Sequence, residues 1–187
     1  MLPFILVPLL VAHCRRYSLR PLFTAWDLLP LLLTESVHIF FQISCWLGNT
    51  HWIGYGKYLQ WAFLLSLLFP ILRRELYVPA LWGAGCTLAG SFLNHLVIAA
   101  NGGKMPVWPT FSQWTGYCTR EMLSSGVDGL HVLMTNDAAL PFLADYLDLG
   151  WCILSPGDVL NHLFVAIILY RAVLSFNRPA GHSLKSR

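Results

Sequence analysis

The sequence predicts an all-α fold, a polytopic integral membrane protein of about five transmembrane helices. The N terminus lies outside, the C terminus inside, and a partly helical outer loop joins the last two spans. Three observations predict it. The first is composition: of 187 residues, 56% are hydrophobic and only 11% charged, with a mean hydropathy of +0.57, where a soluble domain carries about 25% charged residues. The second is a set of five apolar stretches, and the third is the clustering of positive charge in alternate gaps between them. The net charge of +3 therefore reads as a topology signal, and no nucleic-acid partner is expected.

The first stretch, Leu2–His13, starts at once and is followed by Arg15 and Arg16. A secretory signal has the reverse order, charge before the apolar run and small residues at a cleavage site, so a retained first helix is expected. It is short for a hydrocarbon layer about 30 Å thick at about 1.5 Å per residue. The later stretches are Leu22–Gly48, Tyr58–Leu72, Tyr77–Ala100 and Asp158–Phe176. The third reaches spanning length if it starts near Trp52. A four-span core with one extra N-terminal helix is the variant reading. Residues 1–176 form one expected domain, and 177–187 a short basic cytoplasmic tail.

Arg15, Arg16 and Arg20 follow the first span, Arg73 and Arg74 the third, and Arg171, Arg178, Lys185 and Arg187 lie at the end of the fifth or beyond it. Cytoplasmic connections carry the excess of Lys and Arg, which puts the long connection, residues 101–157, outside the cell membrane. That side holds Lys57, Lys104 and Arg120 with most of the acids: Glu121, Asp128, Asp137, Asp145 and Asp148. The connection is too apolar for a linker. GLHVLM (129–134) and ALPFLADYLDLGW (139–151) read as two short interfacial helices, punctuated by Pro106, Pro109, Pro141 and Pro156. Trp46, Trp52, Trp108, Trp114 and Trp151 suit an aromatic belt.

Polar residues inside spans are costly and mark candidate sites. Glu35, His38, Gln42, Cys45 and Asn49 follow steps of three and four, so they share one face of the second span. Gly83, Thr87, Gly90, Asn94 and Asn101 do the same on the fourth, where small residues permit close helix approach. Asp158, Asn161 and His162 cluster at the start of the fifth. By depth, Gln42, Asn94, His95 and His162 lie about 6–10 Å inside the outer boundary, Asn101 and Asp158 at it, and Glu35 and His38 deeper as an extension for protons. With Lys104 beside Asn101 and Asn161 beside His162, these ten define an outward-facing pocket for a small molecule or lipid.

Plainer readings stand beside this one. Ser155 or Asp158 caps the fifth helix. Asn94 and Gln42 are interhelical hydrogen-bond glue. Asn101-Gly102-Gly103 is a left-handed helix termination, and Lys104 an interfacial anchor. An Asp158–His162–His95 metal site is geometrically conceivable, but no HExxH or dense His/Cys group is present, so neither metal nor cofactor is expected. The five cysteines form no CxxC pair; Cys118 and Cys152 share the long connection and are candidates for a disulfide if that face is oxidising.

Asn101-Gly102-Gly103-Lys104-Met105-Pro106-Val107, Leu143-Ala144-Asp145 and Ser155-Pro156-Gly157-Asp158 resemble the motifs of a bacterial membrane-protein family, domain of unknown function 5317, over nearly the whole chain. Ahead of the LxD motif, Ala138-Ala139 stands where the family would have Thr-Arg. The resemblance implies fold and membership and carries no activity. The last four spans are also faintly similar in order to lipoprotein signal peptidase, an intramembrane aspartyl hydrolase. That likeness implies Asp158 as one catalytic acid with Asp145 as the candidate second, because the fourth span contains none and aspartyl chemistry needs two. The expected function is non-enzymatic: binding or translocation of a small solute or lipid, or an accessory role. The alternatives are the hydrolase and a purely structural subunit.

Overall fold

A computed structural model describes residues 2–126 and 129–177. Asp128, Arg178, Lys185 and Arg187, and with them most of the expected basic tail, lie outside the described residues. The chain is mostly helical. Its helices are α1 (Leu2–Cys14), α2 (Leu29–Trp46), α3 (Gly56–Arg73), α4 (Tyr77–Ala100), α5 (Phe111–Thr115), α6 (Arg120–Ser125) and α7 (Pro156–Phe176). Among the described residues, α4 and α7 are the two long and apolar enough to cross a membrane. The 24 residues of α4 coincide with the stretch read from sequence.

The second stretch is not one helix from Leu22. Two 3-10 turns, Arg20–Thr24 and Trp26–Leu28, precede α2. Asp27 sits in the second turn, 1% exposed, and its carboxylate takes two bonds from Arg74, Nε to Oδ2 at 2.7 Å and Nη2 to Oδ1 at 2.8 Å. Arg74 also donates to Ser175 Oγ at 3.0 Å and lies 3.8 Å from the Phe176 ring centre. The α3–α4 turn, the entry to α2 and the end of α7 are thereby joined around one guanidinium. Leu28, Leu31, Phe63, Leu67, Val165, Ile168 and Ala172 belong to the main apolar core, which Ile5 of α1 joins.

The pairing of α4 with α7 is set by missing side chains. A Cβ at Gly83 would overlap the Phe164 ring, one at Gly90 the Gly157 carbonyl and Asn161, and one at Gly157 the Asn94 side chain and the Gly90 carbonyl. The small-residue face of the fourth stretch is a helix–helix contact, as its spacing predicts.

The long connection differs from the expected pair of helices. GLHVLM forms strand β2 (His131–Leu133), which pairs in parallel with β1 (Met105–Val107). The expected second helix is a single 3-10 turn, Pro141–Leu143, followed by a two-residue hairpin pair, β3 (Leu147–Asp148) and β4 (Ile153–Leu154). The short helices fall instead at α5 and α6. The reason is pairing: Val107 also bridges Asp145, Trp108 N–H donates to the Asp145 carbonyl at 2.8 Å, and Asp145 N–H to the Pro106 carbonyl at 3.1 Å. Met105–Val107 is buried throughout and lies between the other two segments. Cys152 is a buried free thiol, so no disulfide joins it to Cys118.

Candidate functional site

The site begins with the entry to α7. Ser155 is its N-cap, Pro156 its first residue, and Asp158 completes a capping box. Asp158 N–H donates to Ser155 Oγ at 2.9 Å and Asp158 Oδ2 accepts from Ser155 N–H at 3.1 Å. This satisfies backbone donors that a helix start leaves unpaired. Asn94 of α4 completes the arrangement: Nδ2 donates to Asp158 Oδ1 at 2.8 Å and Oδ1 accepts from Ser155 Oγ at 2.9 Å. Capping and interhelical bonding, read separately from the sequence, are one network.

Beside this network lies a cavity of about 520 Å³. Of the ten pocket residues expected from sequence, His38, Gln42, Asp158, Asn161 and His162 line it. His162 Nδ1 lies 2.6 Å from the Asp158 carbonyl, and its ring stacks on Phe4 of α1 at 5.0 Å. Gln60, Thr87, Trp52, Tyr117 and His131 add polar or amphipathic wall, while Phe41, Phe63, Leu64, Leu67, Phe164 and Val165 supply apolar wall. Thr87 stood on the predicted polar face of α4. His131 and Tyr117 carried no local signal, because the fold of the connection brings them in from far along the chain.

The other expected residues sit elsewhere. Glu35 stands behind His38, 5% exposed, with Oε2 3.8 Å from His38 Nδ1; its two carboxylate oxygens and that Nδ1 make no hydrogen bond. His95 is on the exposed side of α4, its Nδ1 2.7 Å from the Ser91 carbonyl, so the Asp158–His162–His95 metal trio is not assembled among the described residues. Asn101 ends α4. Its Nδ2 donates to the Val97 and Ala139 carbonyls at 2.8 and 2.9 Å, and its Oδ1 accepts from Ala139 N–H at 2.9 Å. The bonds to residue 139 are to backbone, which any residue but proline there would allow. Lys104 donates to the Gly129 carbonyl at 2.5 Å.

The two candidate catalytic acids have different settings. Asp158 faces the cavity within the cap; Asp145 is buried, with Oδ2 3.6 Å from His131 Nε2. A third acid, Asp148, is the most heavily bonded. It accepts from the N–H groups of Thr110, Ser112 and Gly150 at 2.7–2.8 Å and from Ser112 Oγ at 2.6 Å. Burial pushes its pKa up, but the Ser112 hydroxyl and these N–H groups outweigh that and hold the carboxyl below its ordinary value. It caps α5 from 36 residues away.

The family model for a family of unknown function, DUF5317, matches residues 20–170, which is most of the chain. The chain belongs to this family. Two of the three motifs that carried the resemblance meet in space, because NGGKMPV ends α4 and forms β1, to which LAD bonds; SPGD caps α7. An uncharacterized protein of Thermotoga maritima is 30% identical over 114 residues, 58% of this chain and 59% of the relative. The chain thus matches less than two thirds of that relative's length. No solved structure matches, and the likeness to lipoprotein signal peptidase gains no support.

Proposed function

We propose that this chain is a multi-pass bacterial membrane protein, its long connection on the outer side, which binds or translocates a small amphiphilic molecule in the cavity between α2, α3, α4 and α7. The cavity carries this reading. A volume of about 520 Å³ falls within the roughly 300–1,000 Å³ of small-molecule sites. Its wall sets histidine, glutamine and aspartate groups among aromatic and aliphatic ones, which suits a ligand with one polar end.

The membrane reading rests on exposure. Leu81, Trp82, Leu88 and Phe92 of α4 are 66–74% exposed, and so continuous an apolar surface is a liability in water but ordinary against lipid. The positive-inside pattern then sets the connection outside. In a cysteine-free background, an impermeant maleimide should label Ser124→Cys in intact cells and Ser18→Cys only after lysis; the reverse pattern overturns the orientation.

The binding reading is tested by mass spectrometry of small molecules retained when the full chain is extracted in native lipid particles. Wild type should retain a defined amphiphile, and Gln60→Trp, which fills the cavity from an exposed position, should lose it. Equal retention, or none by either protein, removes the basis for a ligand site.

A further inference from the structure

We propose that the cavity takes a ligand with a protonated or quaternary ammonium group on an apolar body, and that the buried Glu35 carboxyl beside His38 takes part in holding it. This rests on the ligand-binding reading above and names the ligand class.

Charge comes first. Among the described residues the cavity wall contains the Asp158 carboxylate and the imidazoles of His38, His131 and His162, and neither lysine nor arginine. Lys104 and Arg120, cations of the long connection, are engaged elsewhere, at the Gly129 carbonyl and over the Trp108 ring. Among these groups an anionic ligand finds no fixed positive charge, whereas a cation finds Asp158. Phe41 and Trp52 stack at 5.7 Å with an 18° tilt, and both line the cavity. Aromatic faces of this kind attract ammonium groups through the ring quadrupole.

The second observation is independent of the wall. Glu35 is buried, and neither of its oxygens has a hydrogen-bond partner; His38 Nδ1, 3.8 Å away, has none either. A buried carboxylate without hydrogen bonds cannot remain ionised unless a positive charge stands by it. His38 beside it lines the cavity. A cation entering beside His38 supplies the compensating charge. Among the described residues, the titratable groups that line the cavity with His38 are Asp158 and His162 of α7 and Tyr117 and His131 of the connection, with Asp145 behind His131.

The test uses the full chain in phosphatidylglycerol nanodiscs, which contain no ammonium headgroup. Binding of labelled benzyltrimethylammonium is competed with its neutral carbon isostere, neopentylbenzene, and with phenylacetate. The cation should bind at least about tenfold tighter than the isostere, and phenylacetate should not compete. Glu35→Gln should weaken binding of the cation and leave that of the isostere unchanged. If adding phosphatidylethanolamine displaces the probe, the ligand is a lipid headgroup; if it does not, the ligand is a free amine. Equal affinity for cation and isostere, or an unchanged cation affinity in Glu35→Gln, overturns the proposal. If Gln60→Trp still abolishes retention of a native amphiphile in that case, the ligand-binding reading survives without it.

Discussion

The Asn94 side-chain amide donates to Asp158 Oδ1 at 2.8 Å while its carbonyl oxygen accepts from Ser155 Oγ at 2.9 Å. One residue of α4 thus holds both halves of the capping box that starts α7. Removing the acid should therefore cost more than one hydrogen bond. Asp158→Ala leaves Ser155 as N-cap but loses the reciprocal bond to the Ser155 N–H, worth about 0.5–1.5 kcal/mol, and strands the Asn94 donor. Asn94→Ala leaves the box intact and loses two interhelical bonds, each of about 0.6–2 kcal/mol. Unfolding in mixed micelles should place both Asp158→Ala and Asn94→Ala below wild type. Equal stability of all three would make the network a binding device rather than a structural one.

The α4–α7 contact should be sensitive to single methyl groups at some glycines and indifferent at others. At Gly90 a Cβ would run into the Gly157 backbone carbonyl, which cannot swing aside; at Gly85 it would meet nothing within 4 Å. Gly90→Ala should destabilise by about 1–3 kcal/mol through overpacking. Gly85→Ala, in the same helix, should be neutral or gain about 0.5–1 kcal/mol of helix preference. Thermal unfolding of the two variants separates a packing seam from a general dislike of alanine.

Asp148 makes the connection sensitive to acid. Its folded pKa lies below the ordinary carboxylate range, so ionisation favours the folded connection. Its stabilisation is complete at neutral pH, starts to fall once pH drops to the unfolded value, and is gone below the folded one. Limited proteolysis should show segment 108–116 opening as pH falls through that window, and Asp148→Asn should open it already at pH 7 with a flatter acid response. An unchanged cleavage profile in the variant would mean that α5 does not depend on this cap.

Local chemistry was legible in the sequence; what long-range pairing decides was not. Ser155-Pro156-Gly157-Asp158 announces a helix start because each residue acts within one turn. Steps of three and four put His38 and Gln42 on one face and Gly83, Gly90 and Asn94 on another, and the structure uses both faces. His131 looked like part of an amphipathic helix because its strand exists only through pairing with Met105–Val107. Asp148 gave no sign of capping a helix through Ser112, 36 residues earlier. Arg74 read as a topology charge, and its buried partner Asp27 lay inside a stretch read as continuous span.

That ion pair gives the sharpest contrast between two neighbouring arginines. Arg73 is exposed and lies 5.2 Å over the Trp26 ring, whereas Arg74 binds Asp27 through two bonds, with the acid side chain 2% exposed. Removing one partner of a buried pair leaves an uncompensated charge and costs about 3–5 kcal/mol. Arg74→Met should therefore unfold the protein far more readily than Arg73→Met, although each removes one positive charge from the same turn. Adding Asp27→Leu to Arg74→Met removes the stranded acid and should recover most of the loss. Arg74→Lys should recover little, because an ammonium cannot form the two parallel bonds of a guanidinium. Mixed-micelle unfolding of these variants decides the matter: equal effects at 73 and 74 would reduce the pair to a charge signal, and recovery in the double variant would establish it as the clamp between α2, α3 and α7.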